Sequence, residues 1–415
     1  MYFQNFRIFS DGLSKVCGIN FDGACLLCTF SKLSFLLCEY LSFTVSATLQ
    51  RGPSNWYSLP PAPRSRPDTK PGYLYKFWLL GCSAYIFAVP AQQGTRTTSY
   101  IFTYTILPMN LFRDVFISLS RSQSLRRFAE NSPLARKVSG RFVAGVSLSK
   151  ALVVCQEENR QGRSVTLDAL GENVQSEEHA EASAAVYHLM LDRIAEMGLD
   201  ANVSLKLTQM GMDLGVGIAE SMVHNLSEHA YALNNFVRVD MEGSPYTQDT
   251  IGIVTRLHGA PAIGDSVGVV VQAYLFRTEA DVDHLIAKGI RVRLCKGAYK
   301  EPETIAFAAK SDVDANYVKL MKRLLTSGVF HGLATHDENI IQQAKTFVAE
   351  QGIDRSSFEF QMLYGIRRDL QDSLVKQGYR VRVYVPFGEE WYPYFMRRLA
   401  ERPANALFIA KNFFR

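Results

Sequence analysis

From residue 161 to the C-terminus, short strand-like runs rich in β-branched, aliphatic and aromatic residues alternate with stretches of helical apolar spacing. The runs fall at 165–170, 203–207, 236–240, 267–274, 290–294, 332–336, 358–362 and 379–384. They lie roughly 20 to 40 residues apart, the spacing that strand–helix units require. Eight such units in about 250 residues predict a closed (β/α)8 barrel of the TIM type rather than an open sheet. Ahead of them a helical pattern covers 111–147, with Arg and Lys to one side of the apolar positions. The expected organisation is therefore an N-terminal helical segment at 109–160 and an α/β barrel at 161–415.

Polar positions sharpen this reading. Each run carries a chemically useful side chain at or near its C-terminal end: Asp168, Lys206, Asp240, Gln272, Arg293 with Lys296, Thr335 with His336, Gln361 and Tyr384. Barrel enzymes build their active sites at the C-terminal strand ends. Any one of these residues alone reads better as a satisfied structural group; eight in register point to a site. A last helix follows, with Pro393 tolerated in its first turn and Pro403 ending it. Tyr394, Arg397, Arg398 and Glu401 share one side of it. Adjacent arginines suit a small carboxylate, because guanidinium forks match carboxylate oxygens bidentately. Taken as an isolated string, the segment is better read as a solvated helix with an internal Arg–Glu pair. Eight polar strand ends before it favour a helix laid over the barrel mouth.

Residues 1–108 read differently. An interrupted apolar run, a Pro-rich patch and two short apolar stretches at 78–91 and 100–108 show no helical or strand period that would build a core. None is long enough for a membrane helix, and neither a signal peptide nor a transit peptide is recognisable. This extension is expected to stand outside the working domain, either disordered or translated from a misplaced start with Met109 as the natural initiator. A membrane-associated extension is the lesser alternative.

Composition fits that division. The chain is 47% hydrophobic and 20% charged, as a globular protein is. Residues 1–108 hold 9 Lys or Arg against 4 Asp or Glu, which accounts for the whole net charge of +5 and leaves the remainder balanced at 36 against 36. A neutral body without a basic stripe gives no case for nucleic acid. Only Cys155 and Cys295 lie beyond residue 108, which fits a reducing compartment. The pair Cys25 and Cys28 lacks the second pair or nearby His of a metal site and is read as chance. Cys295, beside Arg293 and Lys296, is read as packing although those cations could lower its pKa.

The chemistry narrows by exclusion. No glycine-rich dinucleotide fingerprint follows a first strand. The histidines lack the close, one-face spacing of a metal set, His224 with His229 and His331 with His336 being five apart. No Ser or Cys sits in a nucleophile elbow. What remains is a mouth of cations, Gln, Thr, His and Tyr, suited to a small carboxylate held against a bound cofactor.

The segments TLDALGENV, SLKLTQMGMDLG, FVRVDMEGSPYT, VVVQAYLFRTEAD, RVRLCKGAYKEP, ATHDENII, FEFQMLYGIRRDLQ and RVYVPFGEEWYPYFMRRLAERPAN resemble, in order and spacing, the monofunctional bacterial-type proline dehydrogenases. The resemblance runs from Met109 to the end. It implies a distorted barrel with non-covalent FAD and no metal. L-Proline would be oxidised to Δ1-pyrroline-5-carboxylate, with a membrane quinone as acceptor and pyrroline-5-carboxylate dehydrogenase as pathway partner. It implies a cytoplasmic enzyme in peripheral contact with the inner face of a bacterial membrane, or its mitochondrial counterpart in a eukaryote. Carried over, Lys206, Asp240 and Met241 match substrate-side positions, and Asp240 with Arg293 the catalytic ones. Met241, Gln272, Arg293, Lys296, Gly297, Ala298, Thr335 and His336 match cofactor contacts. Tyr384 and Tyr394 resemble walls of the proline pocket. Arg397 and Arg398 match the pair on the substrate carboxylate, with Glu401 fixing one of them. Two other readings stand beside this one: a catalytically silent barrel used for binding, and another carboxylate-binding barrel enzyme, such as a lyase with Lys206 as its Schiff base.

Overall fold

The structure, a computed structural model, describes residues 139–401, strands at 43–45, 74–79, 82–88 and 102–104, and single positions at 126, 127, 129 and 132. Side chains of residues 398–401 lie outside that description, which takes in the expectations placed on Arg398 and Glu401. The chain divides into two units, Met1–Asp114 and Val115–Arg415. In the first, β1 (Phe43–Val45), β2 (Leu74–Leu79), β3 (Cys82–Ala88) and β4 (Phe102–Tyr104) form an antiparallel sheet in the order β1-β4-β3-β2. The sequence suggested no strand period here. The reason for the difference is composition: β2 and β3 are dense in aromatic and aliphatic residues, which favour strands without needing polar alternation.

The second unit holds eight parallel strands closed into a barrel. In chain order they are β5 (Ser164–Ala169), β6 (Ala201–Leu205), β7 (Val237–Val239), β8 (Val267–Gln272), β9 (Val292–Cys295), β10 (His331–Ala334), β11 (Phe358–Leu363) and β12 (Arg380–Phe387). Closure comes from β12 pairing back on β5, with Val383 opposite Val165. Among the described residues, helices α1 (Leu148–Arg160), α2 (Glu177–Glu196), α3 (Val216–Ala232), α4 (Ser244–Leu257), α5 (Thr278–Ala287), α6 (Lys310–Leu325), α7 (Glu338–Glu350), α8 (Arg368–Lys376) and α9 (Trp391–Glu401) accompany the strands. Each expected run contains or overlaps one of these strands, and the (β/α)8 fold is the observed one.

Burial explains why the strands read as near-continuous apolar runs. Val165, Leu167, Val203, Leu205, Val237, Val239, Val267, Val269, Val292, Leu294, Phe360, Val383 and Val385 are all buried and belong to one core with the helices. Each such side chain contributes on the order of 2 kcal/mol by leaving water. The alternate residues are instead linked by hydrogen bonds across the barrel, so this interior is polar. Branched apolar side chains fill the usual barrel interior; here Thr166, Asn202, Ser204, Arg238, Glu359 and Arg382 occupy it, all with little or no exposure.

The helix expected over 111–147 does not extend through 140–147. There the chain turns, Phe142 and Val143 bury against α9, the Ala144 amide donates to the Pro386 carbonyl at 2.9 Å, and the Gly388 amide donates to the Gly145 carbonyl at 3.0 Å. Tertiary hydrogen bonds to the end of β12 override the local helical pattern. Residues 111–138 lie outside the described residues apart from the single positions named above.

His331 opens β10 and is 1% exposed; its Nδ1 accepts from the Val292 amide at 3.0 Å and its Nε2 meets Ser327 at 2.9 Å. Burial, reinforced by the nearby Arg238 cation, lowers its pKa from 6.5 to about 3. Below pH 6.5 the unfolded chain therefore binds a proton that the folded chain refuses. Stability should fall as pH drops from 6.5 towards 3, by about 1.4 kcal/mol per pH unit from this residue. Urea unfolding across that window should show a shallower acid slope for His331→Asn; an unchanged slope would remove His331 as the cause.

Candidate active site

At the C-terminal end of the barrel, period two brings the polar strand ends inward together. Asp240 is at the centre. Its Oδ1 accepts from Arg293 Nη1 at 2.7 Å and from Ser204 Oγ at 2.7 Å, and its Oδ2 accepts from the Tyr384 hydroxyl at 2.9 Å. The Arg293 guanidinium also lies 5.3 Å from the centre of the Tyr384 ring and donates from Nε to Gln361 Oε1. Several strands thus converge on one ion pair whose side chains are 7% and 15% exposed. Burial first, then the Asp168 and Asp240 carboxylates, push the Tyr384 phenol well above its ordinary pKa, so it stays a neutral donor.

Beside this cluster the Lys206 ammonium lies 3.6 Å from Asp168 Oδ2. Burial works against the ammonium, yet the carboxylates of Asp168, Asp240 and Glu172 outweigh it and hold Lys206 above the ordinary lysine range. A Schiff-base lysine needs the opposite shift, towards the neutral amine, so the lyase reading loses its nucleophile. Burial pushes the Asp168 carboxyl up, with Lys206 opposing and Asp240 adding to it. Oδ2 of Asp168 is buried without a hydrogen-bond donor, an unmet acceptor beside a cation.

The remaining expected residues line the mouth in separate contacts. Gln272, 2% exposed, donates from its amide to the Glu242 carbonyl at 3.0 Å, and Met241, which precedes Glu242 in sequence, is buried. The Lys296 ammonium bridges Asp337 at 2.8 Å and Asp314 at 2.5 Å. Thr335 Oγ1 accepts from the Asp337 amide at 3.1 Å, and His336 Nε2 accepts from the Leu363 amide at 2.9 Å. Gly297 has φ +123°, and a Cβ there would lie 2.0 Å from the Tyr274 ring, so backbone alone fits; Gly297 and Ala298 are exposed. Cys295 fits the packing role: burial pushes its thiol up to about 12 despite Arg293, and its Sγ lies 3.4 Å from the Val271 carbonyl.

Helix α9 covers this end. Trp391, Tyr392, Tyr394, Phe395 and Met396 are buried in one cluster with Phe142, Val143 and Ile366, packed against Leu170 and Leu363. Leu170 follows the end of β5 and Leu363 is the last residue of β11. The α9 cluster therefore rests on C-terminal strand ends, as the helix order implied. Tyr394 is 7% exposed. Arg397 Nη2 donates to Glu172 Oε1 at 3.1 Å, with both side chains over a third exposed.

Sequence reading missed Glu172, Ser204, Glu359 and Arg382. Three of them carried a usable signal, since Ser204, Glu359 and Arg382 stand two positions before Lys206, Gln361 and Tyr384 and so face the same interior. Glu172 sits in the loop after β5, where no period marks it.

A family model described as proline dehydrogenase matches residues 151–411. Proline dehydrogenase 2 of Bacillus subtilis (strain 168) is 41% identical over 300 residues, spanning 72% of this chain and 98% of the relative. The proline dehydrogenase of Deinococcus radiodurans is 37% identical over 309 residues, spanning 73% and 97%. Among solved structures, proline utilization A (PutA) from Bdellovibrio bacteriovorus, inactivated by N-propargylglycine, gives a TM-score of 0.62 at 25% identity. That match covers 70% of this chain and 36% of the PutA chain, so the chain spans about a third of that protein. Matched over nearly the full length of its bacterial relatives, and with the barrel and its converging strand ends in place, this chain belongs to the proline dehydrogenase family.

Proposed function

We propose that this chain oxidises L-proline to Δ1-pyrroline-5-carboxylate, the first step of proline catabolism, using non-covalent FAD and a membrane quinone as final acceptor. The catalytic unit is the barrel at 161–415, led by the segment at 109–160. The observation that carries the reading is the Asp240–Arg293–Tyr384 cluster beside Lys206 and Asp168, inside the barrel end that α9 covers.

The residues present fit a flavin and a small amino acid. The mouth offers an unmet buried acceptor at Asp168, an exposed side-chain-free backbone at Gly297, and cations at Arg293 and Lys296. Gln272, Met241, Ala298, Thr335 and His336 would hold the cofactor with them. Bound there, a flavin supplies a two-electron acceptor for the carbon–hydrogen bond next to the proline nitrogen. Oxidation also removes a proton from that nitrogen. Asp240 and Lys206 bias the protonation of the amine by fixing the local charge, and the buried cluster excludes water. Arg293 places fixed positive charge where negative charge grows as electrons leave the substrate. Arg397, joined by Arg398, orients the carboxylate, while Tyr384 and Tyr394 wall the ring.

Quinone reduction implies peripheral contact with a membrane surface; among the described residues no helix is long and apolar enough to cross one. The product is the substrate of a pyrroline-5-carboxylate dehydrogenase, the expected pathway partner. Purified full-length chain should absorb visible light as a flavoprotein and bleach when proline is added without oxygen. Protein that takes up no FAD, or a bound flavin that proline leaves oxidised, would overturn the reading.

A further inference from the structure

The polar interior continues below the ion pair. Glu359, 3% exposed at its side chain, accepts at Oε1 from Gln361 Nε2 at 2.6 Å and from Arg382 Nε at 2.7 Å. Arg382 is itself anchored, donating from Nη1 to the Val165 carbonyl at 2.7 Å and to Asn202 Oδ1 at 3.0 Å. On the other side of Gln361 its Oε1 accepts from Arg293 Nε. An ionised carboxylate only accepts and a guanidinium only donates, whereas a glutamine amide does both. An amide between them therefore has one satisfied orientation. Turning it over would set its NH2 against the Arg293 N–H and its oxygen against the carboxylate. Gly332 makes room for the bridge, since a Cβ there would lie 2.3 Å from Gln361 Nε2.

We propose that Glu359 is a positioning residue for the reaction: it fixes the Gln361 amide so that the carbonyl holds the Arg293 guanidinium in place against Asp240. This rests on reading Arg293 as the charge beside the reacting atoms. Glu359 acts through Gln361. Its Oε1 is engaged by Gln361 and Arg382, and its second oxygen, Oε2, is buried without a hydrogen-bond donor. Removing its acceptor-only character releases the amide to either orientation while leaving size and shape intact.

Glu359→Gln tests this, because an amide at 359 can turn its NH2 to Gln361, which a carboxylate cannot do, at the cost of the Arg382 contact that now shares Oε1. The variant should lower kcat at least tenfold and leave the proline KM within about twofold. In full-length chain labelled with 15N-arginine and free of substrate, the Arg293 Nε–H resonance should lose its protection from solvent exchange. The double variant Glu359→Gln with Gln361→Glu rebuilds a one-way chain. The new carboxylate at 361 accepts from Arg293 and from the new amide at 359, once that amide sets its NH2 at the former Oε1 place and turns its carbonyl, at the former Oε2 place, to Arg382. It should regain the protected resonance and recover most of the lost kcat. A single variant with kcat within twofold of wild type and an unchanged resonance would overturn the proposal. So would a double variant that regains neither. Should the single variant not fold, the double variant, which keeps net charge and volume, is compared with wild type directly: a protected resonance and near-normal kcat support the role, and loss of both overturns it. Failure of proline to bleach the wild-type flavin would sink the functional reading instead, while the resonance comparison would still decide the role of Glu359.

Discussion

Arg293→Met should lower kcat about 100- to 1000-fold, the loss that follows removal of one preorganised charge or donor aimed at a reacting centre. Methionine matches the length of the arginine stem but removes the guanidinium. Two groups then lose their partner: Asp240 Oδ1, which keeps only the Ser204 hydroxyl, and Gln361 Oε1. With side chains 7% and 15% exposed, the pair is nearly buried, and stranding the carboxylate should cost about 3 kcal/mol of stability. Asp240→Asn in the same chain removes the stranded charge. The double variant should recover much of the stability and none of the rate, because the two losses have different origins. Urea unfolding with steady-state kinetics on all three variants checks this. A kcat within tenfold of wild type for Arg293→Met would take Arg293 out of the reaction.

Much of this fold was legible because the barrel's outer layer is written in an ordinary code. Val, Leu, Ile and Phe at strand positions under the helices gave the eight runs, and the polar ends of those runs gave Asp168, Lys206, Asp240, Arg293, Gln361 and Tyr384, which the structure joins. The interior below them was harder to see. A polar residue inside a strand looks like a solvent-facing one until closure of the sheet makes both faces buried, so Thr166, Asn202, Glu359 and Arg382 carry no sign of their own that they line the interior. The charge of Lys206, which counts against the Schiff-base alternative, is hidden for the same reason: it depends on Asp168 and Asp240 arriving from neighbouring strands, which no local spacing encodes. At 140–147 the local helical pattern lost to hydrogen bonds from β12, more than 200 residues away in the chain. Gln272, Thr335 and His336 were found at the right end of the barrel, but the hydrogen bonds that fix them are to backbone, which sequence does not show.

Arg397 carries the second large expectation. Its observed partner is Glu172, brought in from the loop after β5; the Glu401 side chain lies outside the described residues. With side chains 39% and 35% exposed, the pair is screened by water and adds little to stability, so its guanidinium is available to a competing carboxylate. On the proposed role, a substrate carboxylate would displace Glu172 and exchange one anion for another at little electrostatic cost, so the contact would serve as a latch as well as a binding group. Arg397→Met should therefore raise the proline KM about 100-fold, the equivalent of one charge-assisted contact of about 2.7 kcal/mol, and leave the melting temperature almost unchanged. Glu172→Gln should act in the opposite direction, lowering KM severalfold by freeing the arginine from its competitor. Opposite signs from the two partners of a single ion pair are the signature of competition. Were the pair a brace that held α9 on the barrel, both substitutions would weaken proline binding and both would lower the melting temperature. Parallel KM and thermal-unfolding measurements on the two variants separate these outcomes.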